Sequence, residues 1–277
     1  MVKLVDCGNT VKVTRCSLPK TEQRIKILDG DHYQDLLTGE IKEIEHAETK
    51  AGTLASVRRA FGRLKDLVNT NYSSPENVVL LTLTYAQNMQ DQSCISGDMA
   101  YFFRKLRAFL SLPFEYIYVK ETQGRGAWHM HIILFFESPA PVLSPRACDV
   151  VWGLGMTDWR NFSGDINNLG QYLSARLVNH GETDKKGLRI LNYPAGMHIY
   201  ARSRGIKDPV YYDMPDDLAL EFLQARNSVL RTGITDSILL SCDMTVEYSR
   251  YLFTVDPLTG CAGFDNSRYV NYRRTSY

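Results

Sequence analysis

Two histidines one residue apart are the first chemistry in this chain. They lie in Glu121-Thr122-Gln123-Gly124-Arg125-Gly126-Ala127-Trp128-His129-Met130-His131-Ile132-Ile133-Leu134-Phe135-Phe136. The stretch reads as the end of one strand, a glycine turn and a second strand. Strand side chains alternate faces, so His129 and His131 point the same way, about 7 Å apart. Trp128, Met130, Ile132 and Leu134 then point into a core. Two imidazoles on one face can grip a metal ion, although His-x-His on an apolar strand also occurs with no ion.

The preceding segment, Phe114 to Glu121, also has strand composition. In a hairpin centred on Arg125, Glu121 lies opposite His129, and cross-strand partners share a face. A slip of one residue would turn the carboxylate away. In register, the site is two imidazoles and one carboxylate with open coordination positions. That set suits a divalent ion such as manganese or iron and leaves room for a substrate oxygen.

The elements that must position this hairpin can be read on either side of it. Asn77 to Tyr85 is apolar and β-branched enough for a central strand. A helix over 98–110 follows, with Asp98 as N-cap and Phe102, Phe103, Leu106, Phe109 and Leu110 as the buried stripe. After the hairpin, Ser144 to Trp152 is helical, with Ser144 capping and Pro145 in the first turn. Met156 to Asn161 is a strand. Residues 77–161 therefore read β-α-β-β-α-β, an α+β, ferredoxin-like (RRM-like) antiparallel sheet with helices on one face. That scaffold hosts nucleic-acid binders, metal chaperones and enzymes, so it carries no function by itself.

Asp165 to Gly181 is a further helix, capped by Asp165 and closed by Gly181. Ile166, Leu169, Leu173 and Leu177 form its apolar stripe. Tyr172 sits at the shoulder of the stripe, with Asn168 one turn before it and Arg176 one turn after. A tyrosine so placed is exposed enough to react, or else packs at the boundary. Gly170 allows a close approach at some cost in helix stability.

The rest of the chain frames this core. Residues 1–76 read as strands and turns followed by a helix over 54–68. In this region Arg24 to Leu28 is a short strand and Leu37 to Glu40 a turn. Arg58, Arg59, Arg63 and Lys65 occupy the open face of the helix, either solvated or contacting phosphate. Residues 188–212 interleave cations and aromatics (Arg189, Tyr193, Tyr200, Arg202, Arg204, Lys207, Tyr211, Tyr212), a composition that suits single-stranded nucleic acid or an ordinary surface. Residues 215–226 form a short helix around Leu218 and Phe222, and 234–254 a strand pair. The expected organisation is an N-terminal extension (1–76), a core (77–181) and a C-terminal extension packed on it (182–277), with a mobile tail from about 263.

Composition sets outer bounds. The chain has 277 residues, enough for one large domain or two small ones, and a formal charge of +1. Any anionic partner must be met by local clusters rather than by net charge. The six cysteines include no Cys-x-x-Cys pair, against a structural zinc site or a disulfide framework. No signal peptide or membrane-length apolar run is evident, so a cytoplasmic protein with no membrane partner is expected.

Taken in order, three of these segments resemble the HUH endonucleases, and within them the rolling-circle replication initiators of small plasmids, phages and related mobile elements. Leu80-Leu81-Thr82-Leu83-Thr84-Tyr85 resembles the first motif. Trp128-His129-Met130-His131 resembles the His-hydrophobic-His metal motif. Leu169-Gly170-Gln171-Tyr172-Leu173-Ser174 resembles the nucleophile motif. Met197 to Pro209 is similar to a segment that follows the nucleophile helix in one branch. The resemblance spans about residues 77–210.

It implies a single-tyrosine enzyme in which Tyr172 attacks a phosphodiester of single-stranded DNA, leaving a 5′-phosphotyrosine link and a free 3′-hydroxyl. Glu121, His129 and His131 would hold a divalent ion, Mn2+ or Mg2+. The family pattern has lysine three residues after the tyrosine. Here that position is Ala175, and Arg176 is the nearest cation to take its part, without being an equivalent one. Thr82, Thr84, Arg125, Asn168, Arg202, Arg204 and Lys207 are the residues assigned to the DNA.

No Gly-x-x-x-x-Gly-Lys-[Ser/Thr] phosphate loop is present, so a host helicase would unwind the origin and a host polymerase extend the 3′ end. A homodimer stays open. So do a transposase or conjugative relaxase of the same chemistry, and a non-catalytic single-stranded nucleic-acid binder, which predicts an apolar setting around Glu121.

Overall fold

The computed structural model describes residues 2–8, 10–16, 24–46, 54–123, 125–163, 193–194, 196–225, 232–240, 244–252, 271 and 273–274. The fold is α+β, built on antiparallel sheets.

The segment over 78–161 has the expected order: strand Val78–Tyr85 (β6), helix Ile95–Leu110 (α2), strands Glu115–Thr122 (β7) and Trp128–Phe135 (β8), helix Pro145–Trp152 (α3) and strand Gly155–Asn161 (β9). They lie in space as β7-β8-β6-β9, all antiparallel. This is the split β-α-β arrangement: the crossover from β6 to β7 leaves a gap that β8 fills. A strand filling such a gap is covered on both sides, which is why β8 reads His-Met-His and then continuously apolar. From Met130 to Phe135 every residue is buried.

A fifth strand, Tyr200–Arg202 (β10), extends this sheet beyond β7. One face of the sheet packs on α2 and α3. There Phe103 stacks on Tyr116 at 3.5 Å between ring centres, and Trp152 meets Phe102 and Tyr85. Helix Leu54–Asn71 (α1) buries Val57, Phe61, Leu64, Leu67 and Val68 in the same hydrophobic core.

α2 begins three residues earlier than expected. Cys94, not Asp98, stands at its N-cap, and no side chain caps it. Asp98 lies in the first turn and accepts a 2.7 Å hydrogen bond from the Tyr85 hydroxyl. The carboxylate that reads as a cap is therefore spent tying α2 to β6.

A second sheet joins the two ends of the described chain. Strands Val2–Asp6 (β1) and Thr10–Cys16 (β2) lie among Val210–Met214 (β11), Thr232–Leu240 (β12), Met244–Leu252 (β13) and Arg273–Arg274 (β14), in the order β12-β13-β2-β1-β11-β14. Helix Asp216–Ala225 (α4) packs on it through Ala219 and Phe222, against Val2, Leu4, Val11, Val13, Tyr212 and Met214. Strands Ile25–Ile27 (β3), His32–Asp35 (β4) and Ile41–Glu43 (β5) form a small third sheet, whose Ile25, Ile27 and Ile41 are exposed.

Candidate metal centre

The hairpin β7–β8 has the register that the site requires. Glu121 pairs with His129, and Val119 with His131. The turn is closed by the Gln123 N–H donating to the Ala127 carbonyl at 2.7 Å and the Gly126 N–H to the Gln123 carbonyl at 2.9 Å. Gly126 has φ +84°, a left-handed conformation that side-chain-bearing residues avoid. The start of β8 is pinned from outside: the Trp128 indole N–H donates to the Gln90 carbonyl at 2.9 Å, and the Trp128 backbone N–H to that of Met89 at 2.8 Å.

Glu121 and His131 are 5% and 2% exposed, while His129 is half-buried. Both Nε2 atoms converge on one carboxylate oxygen: His129 Nε2 lies 2.9 Å and His131 Nε2 2.8 Å from Glu121 Oε2. Burial of the carboxyl works to raise its pKa. The hydrogen bonds and charge of the two imidazoles outweigh burial and hold it at about 2. The ligand atoms of the three residues lie within 4.8 Å of one another, so the group could hold a metal ion.

The donor chemistry fits. Each Nδ1 has a partner on the side away from the carboxylate: Thr82 Oγ1 is 3.2 Å from His131 Nδ1, and the Gln123 side-chain amide is 3.3 Å from His129 Nδ1. A histidine that gives Nε2 to a metal carries its proton on Nδ1 and needs an acceptor there. The Thr82 hydroxyl supplies one, and the Gln123 amide does when its oxygen faces the ring. An all-apolar surrounding of Glu121, expected of a non-catalytic binder, is not what the site has.

Thr82 and Thr84 share this face, since they pair in register with His131 and His129. Thr82 therefore sits behind a ligand rather than beside it. Thr84 uses its carbonyl to accept from the Trp152 indole at 3.2 Å. Arg125 is exposed at the turn, with its carbonyl 3.4 Å from the Gln90 amide. Gln123 was not singled out by the sequence, although its place between Glu121 and His129 in the hairpin was a signal available to find it.

The other assigned residues lie elsewhere. Arg202, on β10, makes a two-pronged ion pair with Asp208 at 2.9 Å for both contacts. Arg204 and Lys207 are exposed in the loop that follows. The aromatics expected to stack on nucleic acid divide: Tyr193, Tyr211 and Tyr212 are buried and serve the cores, and Tyr200 alone of the four is half-buried. Tyr193 packs on Trp128, and its hydroxyl accepts from the Thr122 backbone N–H at 2.9 Å. Asn168, Tyr172 and Arg176 lie outside the described residues.

Among the described residues no helix is long and apolar enough to cross a membrane. Residues 78–179 match the family model of the replication-associated protein ORF2. The match supports a Rep-like protein of replication initiation. It starts at the first residue of β6 and contains Thr82, the metal-binding hairpin and Tyr172. No curated protein and no solved structure matches the chain significantly.

Proposed function

We propose that this chain is a rolling-circle replication initiator of the HUH, single-tyrosine type: a metal-dependent endonuclease that nicks and rejoins single-stranded DNA at an origin. The observation that carries the reading is the convergence of Glu121, His129 and His131 on one sheet face, inside the stretch that matches a replication-associated family.

In this reading Glu121, His129 and His131 hold Mn2+ or Mg2+. Such an ion, when bound, draws negative charge from a non-bridging oxygen of the scissile phosphate and fixes its orientation. Thr82 holds the His131 tautomer that leaves Nε2 free to ligate. Tyr172 is the nucleophile. Its phenol, with an ordinary pKa near 10, loses its proton as the phenolic oxygen bonds to phosphorus. The bond from phosphorus to the 3′ oxygen breaks, its electron pair stays on that oxygen, and a proton taken up there gives the free 3′-hydroxyl. One phosphodiester has been exchanged for another, so the energy for rejoining is kept.

Arg176 neutralises charge on the phosphate; its guanidinium cannot act as an acid or base. Arg125, Asn168, Thr84, Arg204 and Lys207 contact the strand. Host helicase and polymerase supply unwinding and extension in the cytoplasm.

The test is the chemistry of the nicked ends. Circular single-stranded DNA of the replicon that carries this gene is incubated with protein and manganese. The reading expects a 3′ end that a polymerase extends directly and a 5′ end that a kinase cannot label until protease and phosphodiesterase remove the tyrosine. A 3′-phosphate, or a 5′ end open to kinase after a simple phosphatase treatment, would make the protein a different nuclease.

A further inference from the structure

A cavity of about 770 Å3 opens between α1 and the 196–202 segment, beyond β7 from the histidines. Its walls carry Lys12, Arg59, Arg63, Arg202, His198 and Tyr200, with Asp66 as the carboxylate among them. Asp66 is engaged by Lys12. Four cations against one carboxylate, in a chain of net charge +1, mark the hollow as an anion site.

The sheet joins the cavity to the metal centre. Tyr200 pairs with Val119, and Val119 with His131. Tyr200, Val119 and His131 therefore share a face, with Tyr200 two strand spacings, roughly 10 Å, from His131. The Lys120 N–H donates to the Ile199 carbonyl at 3.0 Å, which continues the pairing of β10 with β7 toward Glu121. Arg63 and Arg202 both act electrostatically on the Tyr200 hydroxyl. A half-buried aromatic flanked by two guanidinium groups offers one surface for a base and two for phosphate.

Those guanidinium groups are held by a stand-in. Asp208 takes the fork of Arg202 and lies 3.5 Å from Arg63. Arg202 in that geometry accepts a phosphate as readily as a carboxylate. The volume falls in the range of about 300–1,000 Å3 that suits single small ligands. It admits unstacked nucleotides of one strand and excludes a base-paired duplex.

We infer that the cavity between α1 and β10 is a single-stranded DNA subsite, in which Arg59, Arg63 and Arg202 hold the phosphates flanking the scissile position and Tyr200 stacks on a base. This rests on the proposed function. It adds to that function a strand path over α1, a helix that lies outside the segment matched by the replication family.

The test is the salt dependence of binding of a fluorescent oligothymidine, read by anisotropy. It compares the full chain with the double variant Arg59→Gln/Arg63→Gln, the charge-keeping Arg59→Lys/Arg63→Lys, and Asp208→Asn. Each phosphate contact contributes about 0.7 to the slope of log affinity against log salt for a single strand. The glutamine pair should flatten the slope by about 1.4 and weaken binding more than tenfold at low salt. The lysine pair should restore the slope, and Asp208→Asn should tighten binding.

Wild-type slope and affinity in the glutamine pair, with no gain in Asp208→Asn, would overturn the subsite and leave the nicking reading standing. Equal competition by duplex DNA would overturn it too. A wild-type chain that neither binds the strand nor nicks it would instead sink the functional reading.

Discussion

Glu121 is a carboxylate that the surrounding structure would leave costly if it were alone. It is buried, and only the two imidazoles facing it keep it ionised. A site built this way depends on how the imidazoles are turned, which makes Thr82 the most informative position beside the ligands. Thr82→Val keeps the shape and removes the acceptor for His131 Nδ1. Manganese affinity should fall by about 10- to 100-fold in titration calorimetry, with the melting temperature little changed. Unchanged affinity would mean that His131 is oriented by packing alone.

Cysteine chemistry is equally residue-specific. Burial comes first among the causes that push the Cys7 thiol up to about 12 and the Cys148 thiol up to about 11, while Cys94 is exposed. Near pH 8 neither buried thiol supplies thiolate, and the thiolate is the reactive form. Brief alkylation followed by peptide mapping should find Cys94 modified well before Cys7 and Cys148. Cys7 modification at the same rate would contradict the packing of β1 and β2.

Among elements, the hairpin carries the most. Its register was legible in the sequence because the two glycines around Arg125 fix the turn and alternation fixes the face. Glu121 opposite His129 followed from those two facts, and the pairing agrees. Gly126 holds a positive φ there. Gly126→Val should cost about 1–3 kcal/mol and weaken manganese binding together with stability, both read on one sample. Loss of stability with intact metal affinity would show that the turn does not set the register.

The start of α2 was less legible. Ser93, Cys94, Ser96 and Gly97 look like a loop, and an acidic residue before an apolar stripe looks like a cap. Only the tertiary bond from Tyr85 explains why Asp98 sits inside the helix. Burial of Tyr193, Tyr211 and Tyr212 was hidden for a similar reason. Tyrosine reads as polar or apolar according to what covers it, and the covering elements come from distant parts of the chain.

At the scale of the whole molecule, the first strands of the chain are structural keystones. β1 and β2 sit in the middle of the six-stranded sheet, between β13 and β11. No local pattern predicts that pairing, since the partners lie some two hundred residues away. Deleting residues 1–16 unpairs both neighbours and exposes the side of the core formed by Tyr212, Met214 and Phe222. Burial of Val2, Leu4, Val11 and Val13 is worth about 1.5–3 kcal/mol each, together comparable to the whole stability of a domain. The truncated chain should fail to give a cooperative melt by calorimetry. A melt within a few degrees of the full chain would show that the second sheet does not need them.

The account stands or falls on a tyrosine that becomes joined to DNA under the control of the Glu121–His129–His131 site. End-labelled single-stranded DNA from the replicon carrying this gene, mixed with protein and manganese, is run on a denaturing gel beside Tyr172→Phe and His129→Ala. The expected result is a protein–DNA adduct that requires the metal and is absent from both variants. An adduct that persists in Tyr172→Phe, or that forms equally in His129→Ala with the metal chelated, would contradict the account.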